Sequence, residues 1–238
     1  MAPLTCEQLE ELKQFDSPTI ANAIELFNVR PRTEGFMDFS IKCIIPHDKP
    51  MVGYACTAKC SSRIPPTPEQ NNMAMALYEK VKNAPPPCIA VIHDVDRPPV
   101  GAYWGEVQAS TYKALGCAGT IIDGGVRDID PVKELGFGYF ASHVIVAHAY
   151  VHLVDYDCTV EVGGIIVKPG DLLHADKHGV VLIPPEVAPR LADACRHVQY
   201  YEEPVIQGCK ARFETGISIE ELKSLRAEMA NRRPKFVI

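Results

Sequence analysis

The spacing of hydrophobic positions changes along this chain, and the changes divide it into elements. Residues 5–15 open with the capping-box pattern Thr5-x-x-Gln8, which predicts a helix, and Ser17-Pro18 starts a second one over residues 17–27. Residues 28–49 are punctuated and predict no regular element. Residues 52–60 alternate as a strand does, residues 65–68 read as a loop, and residues 69–82 show helical spacing through Met73, Leu77 and Val81. The continuous apolar run at residues 88–92 predicts a strand covered on both faces, ending in the polar loop His93-Asp-Val-Asp-Arg-Pro-Pro-Val100. A helix over residues 104–115 follows, preceded by Gly101 and holding Gly105 in its first turn.

Thr120, Ile121 and Ile122 then favour a strand, and Gly124-Gly125 after them predict a tight turn. Asp130-Pro131 fit the N-cap and first position of another helix. Short strands are predicted at residues 138–141, 144–147, 159–162, 165–167, 172–174 and 180–183, with Pro169-Gly170 as a type II turn. Two helices close the chain, one over residues 186–201 and one opened by the capping box Ser218-x-x-Glu221. Alternating helix and strand in the first half, with a β-rich meander in the second, predicts an α/β sandwich rather than a doubly wound fold. No internal repeat or low-complexity segment interrupts it.

Composition narrows the partners. The chain has 238 residues and a net charge of -6, enough length for a substantial core in one main domain. The negative charge and the absence of a basic stripe argue against nucleic acid held by counterion release. The basic run Arg232-Arg233-Pro234-Lys235 reads as a solvated end. No run of membrane-spanning length occurs, and residues 1–14 lack the pattern of a signal peptide. Nine irregularly spaced cysteines then read as reduced thiols of a cytoplasmic protein. Cys56 and Cys60 lack a second pair at zinc-finger spacing and read as buried small hydrophobes.

The chemistry gathers at Gly119-Thr-Ile-Ile-Asp-Gly-Gly-Val-Arg-Asp128. In α/β proteins ligands collect at the carboxyl ends of strands, and here Arg127 offers a donor fork for a carboxylate beside Asp128, a hard oxygen ligand for a divalent cation. The competing reading is a surface ion pair that caps the next helix. The helix start at Gly105-Glu-Val-Gln108 can hold a carboxylate on its free N–H groups, or be an ordinary surface helix start. His148-x3-His152 and His174-x3-His178 do not share a helical face and read as partly buried or interface histidines. Asp171, Asp176 and His178 read as ordering a turn. Phosphate-loop, dinucleotide-binding and serine-hydrolase motifs are absent. Lys59 and Lys168 have no neighbours that mark a Schiff base, which leaves a metal as the simpler electrophile.

The segment from Trp104-Gly-Glu-Val-Gln to Val-Arg-Asp128 closely resembles the signature of the family that holds the regulator of ribonuclease activity A and the 4-hydroxy-4-methyl-2-oxoglutarate aldolases. Ser17-Pro-Thr-Ile-Ala-Asn-Ala23 and Pro169-Gly-Asp-Leu-Leu-His-Ala-Asp-Lys-His-Gly-Val180 are similar to other blocks of it, and the likeness covers roughly residues 15–205. The resemblance implies an α-β-β-α sandwich like the swivelling phosphohistidine domain, here one domain over residues 1–238 with helical terminal extensions. It also implies a homotrimer or homohexamer with sites between subunits. Aldolase members need magnesium or manganese, cleave 4-hydroxy-2-oxo diacids to pyruvate and a second 2-oxo acid, and usually decarboxylate oxaloacetate.

By position, Gly105, Glu106, Val107 and Gln108 match the loop that holds the substrate carboxylate, Arg127 the pyruvyl-binding arginine and Asp128 the metal aspartate. Glu106 stands in the acidic position separated by twenty intervening residues from Arg-Asp, where the best-known aldolases carry aspartate. Regulator members lack that acid or the aspartate after arginine, and this chain keeps both. A protein-binding regulator and a lyase for another 2-oxo acid are the alternatives. Groups for the distal end of the substrate are expected from a neighbouring subunit, with Glu202 and Glu203 as candidates.

Overall fold

The computed structural model describes residues 3–46, 49–234 and 236. Helices α1 (Cys6–Leu12) and α2 (Ser17–Glu25) come first, then strands β1 (Lys42–Ile45) and β2 (Met51–Ser61), helix α3 (Pro68–Asn83) and strand β3 (Cys88–Asp94). Strand β4 (Ala102–Trp104), helix α4 (Glu106–Ala114), strand β5 (Cys117–Val126), helix α5 (Ile129–Leu135) and strand β6 (Gly138–Val144) form the middle. Strands β7 (His152–Tyr156), β8 (Val160–Val162), β9 (Ile165–Val167), β10 (Leu172–Asp176) and β11 (Gly179–Ile183) precede the closing helices α6 (Leu191–Lys210) and α7 (Ile219–Arg232).

Among the described residues nine strands share one sheet along the path β1-β6-β5-β3-β2-β10-β11, with β4 beside β5 and β7 beside β2. Strands β2, β3, β5 and β6 run parallel, as helical crossovers require, while the outer strands are antiparallel. Side-chain alternation on β2 organises the layers. Val52 and Tyr54 join the core under α1, α2 and α6, and Cys56, Ala58 and Cys60 join the core under α3, α4 and α5. Met51 and Ala55 point to the opposite face, into a third core closed by Val160, Val162 and Val167 of the small β8-β9 hairpin. Two helical groups therefore lie outside a sheet whose inner face is plugged by a hairpin. This is the expected α/β class, with α-β-β-α layering.

The capping boxes are present at Thr5 with Gln8 and Ser218 with Glu221. The expected turn at Gly124-Gly125 is not. Both glycines lie inside β5 in extended backbone, and their need is space: a Cβ on Gly124 would sit 2.6 Å from Asp94 Oδ2, and one on Gly125 2.4 Å from Ile145 Cγ2. The chain turns at Asp128 instead, so α5 begins at Ile129 and Asp130 falls in its first turn. Residues 145–151 form a loop rather than the expected strand over 144–147, because β6 ends at Val144. Residues 102–104 pair with β5 as a strand, which delays the predicted helix to Glu106. The last sheet-packed helix runs on through Pro204 to Lys210.

The basic end stays at the surface, with Arg233 exposed, but its side chains have partners. Arg232 pairs with Glu203 and Glu228 and lies over Tyr200, and Arg233 lies over Tyr201; Lys235 is outside the described residues. All nine cysteines are free thiols, and burial keeps Cys60 firmly protonated. Among the described residues no helix is long and apolar enough to cross a membrane.

Candidate active site

Three stretches meet in one cleft of about 390 Å³: the end of β4 with the first turn of α4, the β5-α5 corner, and the 145–151 loop. Gly105, Glu106, Val107, Gln108, Arg127 and Asp128 all line it, so the residues singled out from sequence converge. Pro66, Tyr103, His148 and Tyr150 also line it.

Asp128 holds the corner together. Its backbone is left-handed, with φ 57° and ψ 48°, a region in which aspartate is among the few non-glycine residues found. That turn swings its carboxylate back across the cleft, where Oδ2 accepts a hydrogen bond from the Glu106 N–H at 2.9 Å. The helix α4 start has no side-chain cap from Gly105, its own N-cap residue, so Asp128 supplies the acceptor from 22 positions away. Gly105 makes the approach possible: a Cβ there would stand 2.6 Å from Asp128 Oδ2 and 3.1 Å from Arg127 Nε. Arg127 is anchored by its N–H to Trp104 O at 2.9 Å, and its Nε lies 3.8 Å from Asp128 Oδ2. That pair is loose enough for the guanidinium fork to meet a ligand.

A buried aromatic cluster supports the cleft floor. Trp104 stacks edgewise on Tyr112 with centroids 4.7 Å apart and also meets Phe137. Tyr139 is fully buried behind the corner, and burial, reinforced by the Asp128 charge, pushes its hydroxyl pKa up.

Several residues outside the sequence-based set belong near the site. His148 lies on the cleft wall as an exposed side chain, with Nδ1 2.7 Å from Ala149 O, whereas His152 is buried and bonded to Tyr150 O. Gln108 is held by Tyr78, whose hydroxyl donates to Gln108 Oε1 at 2.6 Å. The end of β3 and the loop after it form a separate network with β5: Asp123 accepts from the Asp94 N–H at 2.7 Å and from Arg97 at 3.0 Å, and meets His93 Nδ1 at 2.8 Å. Desolvation raises the pKa of the buried Asp94 to about 6. Partners some thirty residues apart, on different strands, left no sequence signal for this network.

His174 is buried between Ser17 and the carbonyls of Leu12 and Phe15, and Asp171 and Asp176 cap local turns, as their turn-ordering reading expected. Glu202 meets Asn22 at 3.4 Å and Glu203 meets Arg232; neither lines this chain's cleft.

The donor set limits any metal. Among the described residues no three His, Cys, Asp or Glu side chains gather as a metal centre. Two carboxylates in an open cleft, Glu106 and an Asp128 whose Oδ2 already sits on a backbone N–H, do not suit a closed zinc site. They suit a hard cation such as magnesium, which takes one or two protein carboxylates and keeps its waters.

Residues 16–182 match the family described as RraA-like, Aldolase/RraA. A protein of Halalkalibacterium halodurans named "Putative 4-hydroxy-4-methyl-2-oxoglutarate aldolase" is 32% identical over 111 residues, 46% of this chain and 52% of that protein. The chain spans about half the length of the curated relatives it matches. In structure it is similar to an uncharacterized protein from Pseudomonas syringae pv. tomato, with TM-score 0.72, 22% identity and 95% of each chain covered. It is also similar to Streptomyces coelicolor RraAS2, described as an unusual member of the RNase ES inhibitor RraA protein family. There the TM-score is 0.68 at 22% identity, covering 85% of this chain and 97% of the other.

Proposed function

The chain belongs to the RraA-like family, and from that premise we propose that it is a divalent-metal-dependent lyase that cleaves a 4-hydroxy-2-oxo acid, of the 4-hydroxy-4-methyl-2-oxoglutarate type, to release pyruvate. The observation that carries this reading is the convergence of Arg127, the left-handed Asp128 and the α4 start on one cleft, with Gly105 kept bare so that the carboxylate reaches the helix. A protein-docking surface needs none of these features in a concavity.

In this reading Asp128 would hold magnesium or manganese, which would supply electrophilic polarisation of the 2-oxo group. Arg127 grips the substrate carboxylate with its planar fork and offsets the negative charge that develops on the pyruvyl half. The N–H groups of the α4 first turn add positive potential at the same end. Glu106 accepts the proton of the 4-hydroxyl as the C3–C4 bond breaks; the bonding pair passes to C3 as an enolate, and its protonation gives pyruvate. Oxaloacetate losing carbon dioxide forms the same enolate, so decarboxylation is a side activity of one site. The active form is a homotrimer or homohexamer in the cytoplasm, in which a neighbour covers the exposed Val107 and Tyr150 of the cleft.

The test is a screen of 4-hydroxy-2-oxo acids and oxaloacetate for pyruvate release, before and after chelator treatment and return of magnesium. Release that is lost with chelator and restored with metal is expected. A folded protein that releases no pyruvate from any of them overturns the reading in favour of a protein-binding regulator.

A further inference from the structure

The wall of the cleft at Gln108 carries polarity that the mechanism leaves unused. Gln108 is the third residue of α4 and lines the cleft. Its Oε1 accepts from the hydroxyl of Tyr78, a half-buried residue of α3 whose ring stands edge-on to Tyr112 with centroids 5.4 Å apart. Burial pushes the Tyr78 hydroxyl pKa up, so the group stays protonated and a donor at neutral pH. A primary amide whose oxygen is committed in this way has its orientation set. The nitrogen has two N–H donors and no acceptor capacity, so the neighbouring Tyr103 hydroxyl can take one and the second is left for a ligand. A donor-only group in a binding wall discriminates: a ligand oxygen satisfies it, whereas a methyl group leaves it unpaired.

Arg127, Asp128 and the start of α4 hold the pyruvyl end in the reading above, so the wall further along α4 is left for the rest of the ligand. Resting on that reading, we propose that Gln108 is a specificity-determining residue and Tyr78 its positioning residue. The amide donates to an oxygen on the part of the substrate beyond the bond that breaks. Substrates whose distal substituent ends in a carboxylate or carbonyl are thereby favoured over those ending in hydrocarbon.

The experiment compares kcat/KM for cleavage of 4-hydroxy-4-methyl-2-oxoglutarate and of 4-hydroxy-2-oxopentanoate in the wild type, Gln108→Leu and Tyr78→Phe. The wild type is expected to favour the diacid, and Gln108→Leu to shrink that preference about tenfold. Tyr78→Phe keeps the ring stack and loses the hydroxyl, so it shrinks the preference by less, through KM of the diacid more than through kcat. A purely structural role for either residue changes stability or both substrates together and leaves the ratio alone. Gln108→Met keeps the side-chain length and serves if the leucine variant does not fold. An unchanged ratio in the Gln108 variants overturns this assignment while the aldolase reading stands; absence of cleavage of either substrate by the wild type removes both.

Discussion

Asp128 Oδ2 accepts the backbone N–H of Glu106 at 2.9 Å, so the carboxylate at the β5-α5 corner also caps helix α4. One side chain thereby ties the two walls of the cleft together. The cation and the helix use different properties of it: the helix needs only an acceptor oxygen, and a cation needs charge.

Two substitutions separate those roles. Asp128→Asn keeps an acceptor and tolerates the left-handed backbone, so its thermal midpoint is expected near that of the wild type while chelator-sensitive pyruvate release is lost. Asp128→Ala loses the cap as well and is expected to cost about 0.5–2 kcal/mol in denaturant unfolding. An asparagine variant with wild-type turnover contradicts the metal-ligand role.

Gly105→Ala tests the close approach. The backbone there is extended, with φ -149°, and any residue can adopt it; the obstacle is the new Cβ, 2.6 Å from Asp128 Oδ2. The carboxylate must move off the helix start, and a shift of that size in a reacting constellation costs up to roughly 10²-fold in rate. The expected result is a steep fall in kcat with the circular dichroism spectrum retained; normal kcat means the contact is incidental.

Which parts of this arrangement were legible in the sequence follows from their range. Helix starts were, because Thr5 with Gln8 and Ser218 with Glu221 act over three residues. Arg127 and Asp128 stood out by residue type after an apolar run, the resemblance to known aldolases added Glu106, and all three line one cleft. The Gly124-Gly125 reading failed because glycine serves both turns and tight packing, and only the neighbours Asp94 and Ile145 tell which. The Tyr78–Gln108 and His93–Asp123 contacts each span 30 residues between separate elements, which no local period records.

His174 makes the fold sensitive to acid. Burial lowers its pKa to about 4 from a usual value near 6.5, and the neutral ring sits between the Ser17 hydroxyl and two carbonyls. The unfolded chain therefore binds the extra proton first as pH falls. The contribution is complete above pH 6.5 and is lost progressively toward pH 4, by roughly 3 kcal/mol at about 1.4 kcal/mol per pKa unit. Asp94, raised to about 6, works in the opposite sense over the same range, so the comparison must be made between variants. His174→Gln does not titrate, and the difference between its denaturant midpoint and that of the wild type should narrow from pH 7.5 to pH 5. A constant difference would show that the ring's protonation does not matter.

Glu106 decides between a helix-start carboxylate and a proton-transfer group. It is exposed at the first position of α4, where an acid gains from the helix dipole whatever else it does. If that is its whole role, Glu106→Gln costs about 0.3–1 kcal/mol of stability and leaves turnover unchanged. If Glu106 accepts the 4-hydroxyl proton, glutamine lowers aldol cleavage by roughly 10²–10⁴-fold, the usual range for a lost acid-base group. Oxaloacetate has no hydroxyl proton to lose before carbon dioxide departs, so its decarboxylation should fall much less. The ratio of the two losses is therefore the readout: a large gap supports the base, equal losses point to a role in holding the cation or its waters, and no loss in either reaction leaves Glu106 to the helix alone.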